Sequence, residues 1–321
     1  MKISAFGFSV FSSALLAACA GGSSVPIPDG PVQIPQLKTS PESTIIGPAK
    51  APIQAMHTGA GKLEAGQVQI TYSWGYTTTE DRFFYRSSDG KLYQFGRMSN
   101  PLLLSGSFAP DTNTPTRQKG QPTDNGGQLL VCCDGVSATI KPGYTRAMRY
   151  GAWIGADGKT DLFVGGVPAD PAHMLGVQDS QNQQATGKAT YEVLAMRVKG
   201  SDVVLSSHDN NSPTLRSRLT VNFNTQQMGG KILGNNDFGA DIDFTDVRVN
   251  GNTFSGSATS GGEAGKVEGG FYGSKGYYTP SGTEIGGKIT FDGNRSLDSV
   301  FGGSSYRSDA KDGSTDLVPL P

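Results

Sequence analysis

Gly265-Lys-Val-Glu-Gly-Gly-Phe-Tyr-Gly-Ser274 runs on to Glu284-Ile-Gly-Gly-Lys-Ile-Thr-Phe291 and then to Val300-Phe-Gly-Gly303, and these stretches decide the fold. Each alternates like a strand but carries glycine where a strand is normally weakened by it, so the repetition needs a geometric reason. Tight coiling at the corners of a closed barrel supplies one, because a side chain there would clash as the strand bends. Ile285, Gly287, Ile289 and Phe291 share one face. Leu219, Val221 and Phe223 alternate with Thr220 and Asn222, the half-buried antiparallel pattern. Ile242 and Phe244 share one parity and Val247 and Val249 the other, which a one-residue bulge near Thr245-Asp246 restores. Asn250-Gly251 is a hairpin signal. Strands are expected near 188–198, 216–224, 228–234, 238–249, 252–260, 265–274, 284–291 and 298–306. Eight strands make an antiparallel barrel whose interior side chains can fill.

Residues 186 to 308 resemble the β-barrel domain of the transferrin-binding protein B family of surface lipoproteins. The resemblance lies in Gly-x-Phe-Tyr-Gly, in the Ile-Gly-Gly-Lys strand and in the closing Val-Phe-Gly, taken in order. It implies a so-called handle domain paired with the barrel. Transferrin binders carry two such lobes and this chain has room for one, which sets transferrin itself aside. Single-lobe relatives bind other host proteins or haem. Iron acquisition by a ligand-binding lipoprotein on the outer membrane is the function the resemblance implies.

Ahead of the barrel, Phe83-Phe-Tyr85 and Leu92-Tyr-Gln-Phe95 flank Asp89-Gly90, and Ala152-Trp-Ile154 and Leu162-Phe-Val164 flank Asp157-Gly158. Both pairs read as tight hairpins. The region is expected to be a small antiparallel sheet, making the whole chain all-β. Residues 109–127, with Pro110, Pro115 and Pro122, read as a long exposed loop, and 168–186 as a linker. The expected domains are a signal peptide at 1–18, a disordered tether at 19–55, a handle-like sheet domain at 56–186 and the barrel at 187–321.

The N-terminus supplies the anchor. Lys2 precedes an apolar stretch, Ala5 to Leu16, too short to span a bilayer, and Leu16-Ala-Ala-Cys19 matches the lipobox in which the cysteine is cleaved and acylated. Ala20 follows where aspartate would resemble an inner-membrane retention signal, so the outer membrane is expected. Pro26, Pro28, Pro31, Pro35, Pro41, Pro48 and Pro52 mark a segment that cannot bury a core. Of the 321 residues 45 are glycine, twice the usual ~7%, and the net charge of −1 gives no electrostatic footprint for nucleic acid. A monomer is expected.

No catalytic motif occurs, and no enzyme is expected. His57, His173 and His208 read as loop residues, any one of them, or Tyr76, being a candidate axial ligand if haem is bound; no metal site is expected. Asp241, Asp243 and Asp246 read as a solvated strand face, and Asp157 and Asp161 as turn chemistry. Cys132 and Cys133 are adjacent, and with Cys19 used for lipid they are the remaining thiols. A vicinal disulfide, two separately buried thiols and a redox or metal pair all stand as readings. The early half is rich in aromatics, among them Trp74, Tyr76, Phe83, Phe84, Tyr85 and Tyr93. They fit either a sheet core or an exposed patch for a partner. Tyr76, Phe84, Tyr277 and Tyr278 are the candidate ligand-binding residues. A binder of a host protein leads, with a haem binder or a protective coat lipoprotein as alternatives.

Overall fold

Hairpins of the N-terminal half share one turn. In Ser87–Gly90, Thr123–Gly126 and Gly155–Gly158 the glycine N–H closes on the carbonyl three residues back, and the glycine takes a positive φ of 82°, 83° and 77°. The aspartate before Gly90 and Gly158 keeps a negative φ, so these are four-residue turns ending in a left-handed glycine. The structure is a computed structural model and describes residues 36–97, 107–108, 115–132, 145–171, 174, 185–208, 215–273 and 281–321. In chain order the first strands are β1 (Gly47–Pro48), β2 (Gln54–His57), β3 (Lys62–Thr71), β4 (Thr77–Arg86), β5 (Leu92–Arg97) and β6 (Ser107–Phe108). There follow β7 (Arg117–Gln118), β8 (Gln121–Pro122), β9 (Gln128–Cys132), β10 (Met148–Ile154) and β11 (Thr160–Gly166).

All of these but β7 make two sheets where the sequence suggested one. A four-stranded sheet has the order β1-β3-β4-β5, and a six-stranded one β2-β11-β10-β9-β6, with β8 also on β9. All pairs are antiparallel except β6 with β9. The sheets face each other through Leu63, Phe83, Tyr85 and Tyr93 on one side and Leu129, Val131, Trp153 and Phe163 on the other. Ring centroids of Tyr85–Phe163, Tyr93–Trp153 and Tyr85–Trp153 lie 4.9, 5.4 and 5.6 Å apart, within the range of favourable tilted packing.

The tether expected through residue 55 ends sooner. Leu37 bridges Thr123, Ser40 bridges Leu92, and Glu42–Thr44 form a 3-10 turn, so the chain from residue 36 onward is bound to the sheets. Ile45 then covers the far side of the four-stranded sheet, packing on the cluster of Val68, Phe84 and Leu92.

The barrel is built from β12 (Lys188–Lys199), β13 (Asp202–Leu205), β14 (Ser217–Asn222), β15 (Gln227–Ile232), β16 (Ile242–Asn250), β17 (Thr253–Ser260), β18 (Glu263–Tyr272), β19 (Glu284–Thr290) and β20 (Ser299–Asp309). Strands β14 to β20 follow one another, and β12 pairs both β20 and β14, closing eight antiparallel strands into a ring; β13 and β7 extend from the far end of β12. The bulge falls where the parity switch placed it, between Thr245 and Arg248, with Asp246 at φ 49°. Inside lie Tyr191, Val193, Leu219, Ile242, Phe271, Ile285 and Phe301 with their neighbours.

The strand glycines make room for side chains on both walls. Gly269 and Gly287 are cross-strand partners facing inward; a Cβ would stand 2.0 Å from the Phe254 ring at the first and 2.9 Å from Phe301 at the second. Gly286 and Gly302, also partners, face outward, where a Cβ at either would lie 2.4 Å from Met148 or Tyr150 of β10. The expected corner bending is therefore joined by a second cause: an outer window that admits the six-stranded sheet.

Through that window the two halves share a core. Met148, Tyr150, Ile154, Leu162 and Val164 pack against Leu194, Met196, Leu205, Tyr272 and Val300 on the outside of the barrel. The chain from Ile34 to Pro321 is accordingly one compact unit, and the expected boundary near 187 does not divide it. Glu284 pins the joint: its carboxylate accepts the backbone N–H groups of Arg146 (2.6 Å), Ala147 (2.9 Å) and Met148 (3.1 Å). Beyond β20 the chain lies along β14, with Lys188 paired to Asp316 at 2.8 Å and the Asn222 amide donating to the carbonyls of Ser314 and Asp316.

Candidate functional site

The β3–β4 hairpin ends in Tyr72-Ser-Trp-Gly-Tyr76. Among the described residues β1 pairs β3 at Gly66 and Gln67, and β5 pairs β4 from Arg86 to Arg82. The last rungs, Gln69–Thr79, Ile70–Thr78 and Thr71–Thr77, pair with no further strand among the described residues. The tip backbone closes through Tyr72 N–H on the Tyr76 carbonyl (2.8 Å) and Gly75 N–H on the Tyr72 carbonyl (2.9 Å), with Gly75 at φ 84°.

The side chains of this tip are ordered on one another. The Tyr72 hydroxyl donates to Glu80 Oε1 at 2.6 Å, and Arg82 donates to Glu80 Oε2 at 2.9 Å. The fixed Tyr72 ring then carries Trp74 at 4.7 Å, nearly parallel at 8°, and Tyr76 at 6.2 Å and 21°. Trp74 is 73% exposed and Tyr76 59%. No ionisable group other than the tyrosines lies between Thr71 and Thr77, and Glu80 is balanced by Arg82. The result is an uncharged, stacked aromatic surface.

A second constellation resembles catalytic machinery. His57 Nδ1 lies 2.8 Å from Asp161 Oδ2, and the Tyr85 hydroxyl donates to the same oxygen at 2.9 Å. Gly59 N–H donates to Asp161 Oδ1 at 2.7 Å, and Leu63 N–H donates to His57 Nε2 at 3.0 Å. Because Nε2 accepts, the ring proton is on Nδ1 and is donated to Asp161. Both imidazole nitrogens are committed, and burial with the adjacent Asp161 charge pushes the Tyr85 hydroxyl far above its usual range. The group is a structural tie between the two sheets, offering neither a base nor an axial ligand.

The other predicted residues fall as follows. Phe84 is fully buried beneath Ile45, which removes it from any surface patch. His57 sits on β2 and His208 is buried with Nδ1 2.9 Å from the Ser206 carbonyl, so neither is the exposed loop residue expected. Asp161 is the buried acceptor just described, whereas Asp157 caps the Lys159 N–H as turn chemistry. Asp241 and Asp243 are solvated and face Lys231 at 3.2 Å each. Cys132 is disulfide-bonded and packs in the joint beside Tyr150. Cys19, Cys133, His173, Tyr277 and Tyr278 lie outside the described residues. Among the described residues no three histidine, cysteine or acidic side chains are grouped to hold a metal.

Sequence reading missed the buried charges, Glu284 and Arg197 among them. Glu284 is pushed up to about 7 by burial, against the pull of its backbone donors and of Arg149. Arg197, brought down to about 10 by burial, lies 4.0 Å from the Phe238 ring and donates to the carbonyls of Leu297 and Phe238 and to Ser299 and Ser260. Alternation places both on strands, but their partners come from distant segments. An open groove of about 700 Å³ beside Lys119, Gln128 and Ser201 is lined largely by glycine and gathers no chemistry.

A family model described as HpuA, haemoglobin-haptoglobin utilisation, porphyrin transporter, matches residues 81–320. The apo crystal structure of the haemoglobin receptor HpuA from Kingella denitrificans is 33% identical, covering 90% of this chain and 99% of that one, with a TM-score of 0.78. The crystal structure of that HpuA in complex with human haemoglobin is 34% identical, covering 90% and 100%, with a TM-score of 0.77. Transferrin binding protein B from serogroup B Neisseria meningitidis matches at 17% identity and a TM-score of 0.40, over 75% of this chain and 52% of that one. No curated protein matches by sequence.

Proposed function

This chain belongs to the HpuA family, and from that premise we propose that it is a surface lipoprotein that binds haemoglobin of a host so that its haem iron can be acquired. The observation that carries the reading is the similarity, along 90% of the chain, to an HpuA crystallised with human haemoglobin. The sequence supplies the rest. Cys19 is the acylated anchor to the outer membrane, and the proline-rich residues after it lift the receptor from the surface. Haem is taken up as part of the protein partner rather than alone, a reading supported by His57 having both nitrogens engaged and His208 being buried, two of the four candidate axial ligands. Cys133 is the disulfide partner of Cys132, given that Cys19 carries lipid.

The test is a calorimetric titration of human haemoglobin into the secreted chain carrying Cys19→Ser, which keeps it free of acyl groups. A saturable isotherm is expected. Absence of any binding heat at two temperatures, with the protein folded by circular dichroism, overturns the reading. The anchor is checked separately by mass spectrometry of the native protein: an unmodified N-terminus at Cys19 would remove it.

A further inference from the structure

We propose that the β3–β4 tip is an anchor for haemoglobin, with Trp74 entering an uncharged apolar depression on the globin surface and Tyr76 bracing its rim. This rests on the receptor reading above and names the residues that act in it. Exposure and order converge on the tip. Trp74 and Tyr76 are exposed at 73% and 59%, and neither belongs to a core cluster, so the fold gives no reason for their size. The stack is ordered before any partner arrives, since Tyr72 is held by Glu80 and carries both rings. Little side-chain freedom is then left to lose on association, and rigid aromatics are the residue type that dominates interface energetics.

Charge then selects the kind of partner. Glu80 is spent on Tyr72 and Arg82, and the tip itself carries none, so the matching surface is apolar with acceptors for the Trp74 N–H and the Tyr76 hydroxyl. Free porphyrin fits poorly. Its propionates call for cations, and Arg82 is paired with Glu80. One face of the Trp74 ring is already covered by Tyr72.

The experiment titrates human haemoglobin into the Cys19→Ser chain and into the same chain with Trp74→Ala, Tyr76→Ala, Trp74→Phe or Val318→Ala. Val318 is 65% exposed on the segment after β20, away from the tip, and serves as the control. Trp74→Ala is expected to weaken binding about tenfold or more and Tyr76→Ala several-fold, with Trp74→Phe recovering part of the loss and Val318→Ala leaving affinity unchanged. Melting temperatures should not move, since the replaced groups are exposed. Affinity of Trp74→Ala within about twofold of the parent sinks the anchor while leaving the receptor reading intact. A parent chain that does not bind haemoglobin removes both. Haemin titrated in parallel separates the remaining case: loss of haemin binding in Trp74→Ala with haemoglobin affinity retained would make the tip a porphyrin contact and overturn the proposal.

Discussion

Asp161 binds residues 76 and 104 positions away in the chain and thereby fastens one sheet to the other. Its carboxylate receives a tyrosine hydroxyl, an imidazole N–H and a backbone N–H, all in or near the aromatic core. Removing a buried acceptor leaves each donor unsatisfied at about 1–3 kcal/mol. Asp161→Ala is therefore expected to lower stability by roughly 3 kcal/mol or more in urea unfolding, and a loss under about 1 kcal/mol would show that water replaces the carboxylate. The sequence showed that Asp161 follows a turn, but a strand's parity says nothing about which distant groups meet it. Phe84 was illegible for a related reason. Alternation puts it opposite Phe83 and Tyr85, and only the return of residues 36–48 across that face buries it. Trp74 was legible as an aromatic in the right region, though residue type alone does not separate it, 73% exposed, from the buried rings of the same region. The chain has two tryptophans, and Trp153 is 2% exposed. Acrylamide quenching should resolve one accessible and one protected population, and Trp74→Ala should abolish the accessible one; a single intermediate population in both proteins would contradict the stack.

Strands were the level at which the sequence spoke most clearly, because period-two alternation and Asn-Gly turns are local signals. The eight barrel strands lie within a few residues of their expected places, and the bulge sits at the parity switch. The reason for the glycines was only half visible. Outward-facing Gly286 and Gly302 answer to Met148, Val164 and Tyr150, which come from another sheet and leave no trace in the barrel's own periodicity. Gly302→Val should force Tyr150 and Met148 out of the window, costing about 1–3 kcal/mol as overpacking does. Faster proteolysis between the two halves would report it, and an unchanged cleavage rate would show that the joint yields elsewhere. Glu284 at the same joint sets a pH dependence. Burial holds its native pKa at about 7, above the ordinary 4.5, so the native state binds the proton more tightly. Its contribution is complete below the unfolded pKa and is lost as pH rises through 7, by at most on the order of 3 kcal/mol. Glu284→Gln offers one acceptor oxygen to three donors and should be less stable throughout, yet its melting temperature should vary less between pH 5 and 8. Parallel profiles for the two proteins would rule the group out as the source.

At the scale of the whole molecule, the question is whether the barrel is a domain or half of one. A closed eight-stranded ring satisfies its own ladder, and the polar segment at 168–186 suggested a linker; both favour independence. Packing argues the other way. Leu194, Met196, Tyr272 and Val300 are fully buried although they face outward, because β10 and β11 cover them. Pro168 bridges Tyr272, and Ala169 and Met174 join the barrel's interior cluster, so part of the supposed linker belongs to the core. A chain cut to 187–321 keeps the ring and exposes that apolar band around the empty seats of Met148 and Tyr150. Contiguous exposed patches of this kind drive association in proteins that lack their partner. The truncated chain should retain a β-type circular dichroism spectrum but self-associate in sedimentation. Adding Leu194→Ser and Met196→Ser should restore a monomer, since polar side chains there no longer need cover. A truncated chain that is already monomeric and melts as sharply as the parent would show the barrel to be self-sufficient, and the glycine window a convenience of docking rather than a condition of stability.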